Sequence, residues 1–87
     1  MITREMLKTL QNIRRQEQNH GAAVAPEIKV YQHRTTLYGA LRKLEKLEAI
    51  NQQDAPTTSN VQKTYTTTGF GEKLLDKAVK AEMIEKW

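Results

Sequence analysis

Apolar residues recur along this chain in three helical stripes and one alternating run. Met6, Leu7, Leu10 and Ile13 fall three and four apart, which predicts an amphipathic helix over residues 3–18. Thr3 is placed to cap its orphan amides, and Glu5 lies where the helix dipole favours a carboxylate. The last turn is polar, and Asn19-His20-Gly21 is a stop signal. Pro26 suits the first turn of a helix. Residues 26–32 therefore predict a short second helix presenting Ile28, with Val30 or Tyr31, inward, although Val30-Tyr31 also tolerates a strand.

A third helix is expected from Thr35 or Thr36 to Leu47, one of the two threonines capping its start. At about 100° per residue, Leu37, Leu41, Leu44 and Leu47 fall on one side. Thr35, Gly39, Arg42 and Lys46 fall on the other, with Thr36 and Lys43 beside them. Residues 48–53 predict a helix end and a brief strand, and residues 54–60 a breaker-rich connector. Val61-Gln62-Lys63-Thr64-Tyr65-Thr66-Thr67 alternates and is rich in β-branched residues, so it should return as the second strand of a hairpin. Thr68 is a natural N-cap for a last helix over residues 69–87. Its stripe is Phe70, Leu74, Leu75, Ala78, Val79, Met83 and Trp87, with Asp76/Lys80 and Glu82/Lys86 paired outside.

The order helix, helix, helix, hairpin, helix is that of a helix-turn-helix followed by a wing. The expected fold class is mainly α with a small β-hairpin: a single winged helix-turn-helix domain over 1–87. Its parts are an N-terminal helix (1–20), a helix-turn-helix (26–47), a wing (50–67) and a C-terminal dimerisation helix (69–87).

Composition sharpens the picture in two ways. The 87 residues stand near the lower limit for a self-sufficient core and contain no cysteine, so disulfides and thiolate metal sites are excluded and oligomerisation is the stabilising option left. The net charge of +4 is modest, but it is concentrated: Arg34, Arg42, Lys43 and Lys46 face only Glu45 on the third helix, whereas residues 69–87 are balanced. A glycine at an outward position ringed by cations allows close approach to a polyanion, and double-stranded DNA is the expected partner. A merely solvated helix face is the alternative. No apolar run reaches transmembrane length and no signal pattern opens the chain, so a soluble, cytoplasmic, nucleoid-associated protein without membrane contact is expected.

Two segments carry a family resemblance. Thr36-Leu37-Tyr38-Gly39-Ala40-Leu41-Arg42-Lys43-Leu44-Glu45 resembles the "TLYxALxxLE" segment of PadR-type (MarR-like) winged-helix transcriptional regulators. Tyr65-Thr66-Thr67-Thr68-Gly69-Phe70-Gly71-Glu72-Lys73-Leu74-Leu75 is similar to their "YxxTxxGxxxL" segment, which closes the wing and opens the next helix. The resemblance covers roughly residues 26–77 and implies a dimeric regulator, in most cases a repressor. The chain departs from the pattern at Glu48, where a glycine is usual, and at Gln62, which stands beside Lys63 where adjacent basic residues are usual. The departure at Glu48 predicts a differently shaped corner after the third helix. Without the long C-terminal domain of larger members, a minimal form with no obvious small-molecule effector is expected.

On this reading the DNA-binding residues are Arg34, Thr35, Thr36, Tyr38, Gly39, Arg42, Lys43, Lys46 and Lys63. Arg42 reads a base edge or contacts a phosphate. Thr35 and Thr36 contact DNA or only cap. Gly39 allows close backbone approach or packs beside the second helix. Tyr38 bonds a phosphate or lies partly buried, and the lysines and Arg34 supply non-specific charge. Tyr65 is expected in the hairpin core, His33 in an exposed turn, and His20 at a helix end facing water. Leu7, Leu10, Leu75, Val79, Met83 and Trp87 are the expected dimer interface; packing of the last stripe against the first helix is the alternative.

The function expected is that of a homodimeric, sequence-specific DNA-binding repressor. Alternatives are a plasmid or viral architectural or partition-type protein that spreads along DNA, and a winged helix used only for protein contact. No carboxylate pair, nucleophile constellation, phosphate-cradling glycine loop or metal spacing is present, so an enzyme is the least favoured class and no cofactor or metal is expected.

Overall fold

The computed structural model describes residues 2–56 and 61–85. Helix α1 spans Arg4–His20. Thr3 caps it, its Oγ1 accepting from the Met6 amide at 3.1 Å. Gly21 ends it in the left-handed region at φ 86°, where the absence of a Cβ removes the steric cost. Met6, Leu7, Leu10 and Ile13 are buried along one side, with Thr9 among them donating to the Glu5 carbonyl at 2.8 Å.

The expected second helix is not a helix. Strand β1 (Ala23–Val24) is followed by a 3₁₀ turn over Ala25–Glu27, after which Ile28 turns extended and inward. Pro26 does sit in the first turn, but the β-branched Ile28 and Val30 follow it at once. The two residues before the turn are drawn into a sheet instead, Ala23 pairing with Tyr65 and Val24 with Thr64.

The cationic helix is therefore α2, Arg34–Lys46. It starts a residue earlier than expected: His33 is the N-cap and its side chain makes no cap bond. Thr35 and Thr36 lie inside the first turn and cap nothing, which corrects their expected role. Leu37, Ala40, Leu41 and Leu44 are buried, and Leu47, past the helix end, is 42 % exposed.

Glu48 takes the left-handed conformation at φ 61°. The Ala49 amide donates to the Leu44 carbonyl and the Glu48 amide to the Glu45 carbonyl, both at 2.9 Å, the bonding pattern of a glycine-terminated helix end. The corner thus keeps the usual shape without its glycine, at a cost of about 1 kcal/mol.

Strands β2 (Ile50–Pro56) and β3 (Val61–Thr67) pair antiparallel from Ile50↔Thr67 to Pro56↔Val61. The first strand is longer than expected, since Asp54–Pro56 belong to it; the remaining connector, 57–60, lies outside the described residues. The sheet order is β1-β3-β2.

Helix α3 spans Gly69–Lys80 rather than continuing to Trp87. It ends as α2 does, with a glutamate, Glu82, at φ 58° and the Met83 amide donating to the Ala78 carbonyl at 2.9 Å. Helical phase explains the stop. Ile84 is nine residues after Leu75, half a turn out of register with it, and a continuous helix would aim it away from the core. By breaking, the chain folds Ile84 inward to 7 % exposure and returns to α1, where Gln11 Nε2 donates to the Glu85 carbonyl at 2.5 Å. The Asp76/Lys80 spacing exists but forms no ion pair among the described residues. Glu82 lies beyond the helix, and Lys86 is outside the described residues.

The polar end of α1 holds the sheet in place. Glu17 Oε1 accepts from the Thr67 amide at 2.9 Å, and Gln16 Oε1 accepts from the Val24 amide at 3.1 Å. Arg14 reaches Glu72 at 2.6 Å. No helix among the described residues is long and apolar enough to cross a membrane.

Candidate nucleic-acid interface

The outward side of α2 follows from its buried side. With Leu37, Ala40, Leu41 and Leu44 anchored, the 100° period puts Thr35, Gly39, Arg42 and Lys46 farthest from the core. Thr36 and Lys43 fall to one side and border a shallow recess with the α1 cap Thr3 and with Glu5. Tyr38 and Glu45 fall to the other, toward the hairpin. Arg34, Thr35, Thr36, Arg42, Lys43 and Lys46 are all exposed. Among the described residues none of these cations forms an ion pair.

Gly39 is the informative position. A Cβ built there meets no atom within 4 Å, so packing beside a second helix does not explain the glycine. In mid-helix it costs about 1 kcal/mol relative to alanine. The fold of this chain gains nothing from it.

Comparison with known proteins adds a shape. No family model matches the chain, and no curated protein matches it. Among solved structures, the chain is similar to a PadR family transcription regulator from hypervirulent Clostridium difficile R20291. The TM-score is 0.74 at 15% identity, over 88% of this chain and 84% of that one. The fold is that of a PadR-type winged helix. At that identity the likeness is one of architecture.

Within the PadR-type fold, β2 and β3 form the wing. Tyr65 is 3 % exposed, a core residue as expected; burial pushes its hydroxyl pKa up, and the neighbouring Tyr38 and Glu45 add to the rise. Tyr38 itself is 42 % exposed. Lys63 lies on the wing but is engaged: its Nζ is 3.5 Å from Asp54 Oδ1 on the opposite strand. With the Gln52 amide turned to satisfy both neighbours, Gln52 Nε2 donates to Glu45 Oε2 at 2.7 Å and Oε1 accepts from Lys63 Nζ at 2.6 Å. Glu45, Gln52 and Asp54 were not expected at the interface. The alternation of β2 puts Gln52 and Asp54 on one face, but their partners depend on a hairpin register that the connector leaves open.

The expected dimer residues divide. Leu7, Leu10 and Leu75 are at most 4 % exposed and fill the chain's own core, so they are not available to a twin; helical stripes at this spacing serve both purposes and the sequence does not separate them. Val79 is partly buried and Met83 is 39 % exposed. With Val30 they line a groove of about 910 Å³ along the Arg4, Lys8 and Gln11 side of α1. Trp87 lies outside the described residues. His33 and His20 are exposed, as expected.

Proposed function

We propose that this chain is a transcription regulator that binds double-stranded DNA sequence-specifically as a homodimer, with residues 35–46 in the major groove, and represses by occupying an operator. The observation that carries this reading is the outer edge of α2. Arg42 and Lys46 stand exposed beside a glycine that the fold does not require, on the helix that precedes the wing. An exposed cationic edge over a vacant Cβ position fits a groove floor and its flanking phosphates. Arg42 reads a base edge, and Arg34, Lys43 and Lys46 neutralise phosphates. The second copy docks on the Val79–Met83 side, placing two α2 helices in successive grooves about 34 Å apart. Such a protein works at the nucleoid, in the cytoplasm.

The test is selection of bound fragments from a randomised duplex pool at two salt concentrations. A palindromic motif is expected, with sedimentation showing a dimer. Arg42→Ala should weaken the selected duplex by about 2 kcal/mol and a scrambled one by much less. Equal losses on both would remove base reading, and continuous protection along DNA would favour a spreading protein instead.

A further inference from the structure

The wing carries one cation among its described residues, and that cation is already occupied. Lys63 sits directly opposite Asp54 in the strand register, and Gln52, two residues along the same face, accepts from it. Gln52 is in turn held by Glu45 on α2. The four side chains run as a relay across the notch between α2 and the wing: Glu45 carboxylate, Gln52 amide, Lys63 ammonium, Asp54 carboxylate. Each donor group of the relay meets at least one acceptor, and its two ends are acids. The notch is where the backbone of a duplex held by α2 would pass, and there the wing presents a compensated charge instead of a free one.

We propose that Asp54, with Gln52, holds Lys63 back from DNA, so that the wing ammonium reaches a phosphate only by displacing Asp54. This rests on the DNA-binding reading above and deepens it: Asp54 is an internal competitor for the phosphate, and Glu45 and Gln52 are positioning residues that fix where the ammonium waits. The two carboxyl ends also make the notch unfavourable to any backbone that does not bring a phosphate within reach of Lys63. Wing affinity is thereby traded for dependence on how well the duplex is seated by α2.

Counterions give the readout. While Asp54 holds Lys63, the ammonium neutralises no phosphate and releases no condensed cation, so it adds nothing to the salt slope. Asp54→Asn frees it to do so. Affinity for a short mixed-sequence duplex should rise roughly three- to fivefold at low salt, and the slope of log K against log salt should steepen by about 0.9. Asp54 and Lys63 are both more than half exposed, so circular dichroism and melting temperature should stay unchanged.

The decisive arm repeats Asp54→Asn in a Lys63→Met background. There the added slope should vanish, and the gain in affinity should shrink to the small repulsion relieved by deleting any one exposed carboxylate. If Asp54→Asn gains as much without Lys63 as with it, Asp54 acts by simple repulsion and the relay is wrong; if it gains nothing in either background, the relay is equally wrong. A wild-type chain that binds no duplex even at low salt would remove the DNA-binding reading itself, and this inference with it, an outcome separate from the other two.

Discussion

Gly39 and Gly71 each sit inside a helix and inside one of the two motif segments, yet the molecule uses them in opposite ways. A Cβ at Gly71 would lie 2.2 Å from the Ala49 carbonyl oxygen and 2.8 Å from Thr67 Cγ2. A Cβ at Gly39 would touch nothing. The contrast extends to the segments around them. From Tyr65 to Leu75 the motif residues are spent on the fold. Tyr65 and Leu75 are buried. Thr68 Oγ1 accepts from the Gly71 amide at 3.0 Å and donates to the Glu48 carbonyl at 2.5 Å. Gly71 lets α3 press against the corner after α2.

From Thr36 to Glu45 only half of the motif does that. Leu37, Ala40, Leu41 and Leu44 are buried, whereas Thr36, Tyr38, Arg42 and Lys43 point out. A residue the fold requires is uninformative about partners; a residue kept against the fold's own preference points to one.

Gly71→Ala should break the first half of this contrast. Backbone and side chain both crowd the added methyl, and a loss of roughly 3 kcal/mol in unfolding free energy is expected, read by urea denaturation. An unchanged midpoint would show that the corner yields easily and that the second segment is less structural than its contacts indicate. Gly39→Ala should sharpen the other half. Relief of the mid-helix glycine should stabilise the chain by about 1 kcal/mol while weakening duplex binding. Stabilisation without loss of binding would mean that no groove closes on that position. The smallest effect concerns the corner joining the two segments: Glu48→Gly should stabilise by about 0.5–1 kcal/mol by removing left-handed strain, with DNA affinity unchanged apart from the gain expected on deleting one exposed carboxylate.

Local signals were legible in the sequence and long-range ones were not. The Thr3 and Thr68 caps, the Gly21 stop and the β-branched run of β3 each depend on neighbours within a few residues, and each stands where the pattern puts it. The start of α2 is not legible locally, because two threonines look like caps while His33, which has no cap bond, holds the position. Strand β1 exists only because Ala23 and Val24 find Tyr65 and Thr64 far along the chain. The end of α3 depends on Ile84 reaching a core that the helical period alone would deny it. The outer edge of α2 was visible as a periodicity, because burial of one side dictates exposure of the other. The relay from Glu45 to Asp54 was not, since it needs both the hairpin register and the approach of α2 to the wing.

Docking of DNA on the Thr35–Gly39–Arg42–Lys46 edge of α2 can be followed at every backbone amide by titrating the ¹⁵N-labelled protein with its selected duplex. The largest shifts are expected over residues 34–46, Gly39 among them, with smaller ones near Lys63 and little change at the Gly69–Lys80 amides. Saturable binding with shifts centred on α3 or on the outer side of α1, and a silent Gly39, would contradict it.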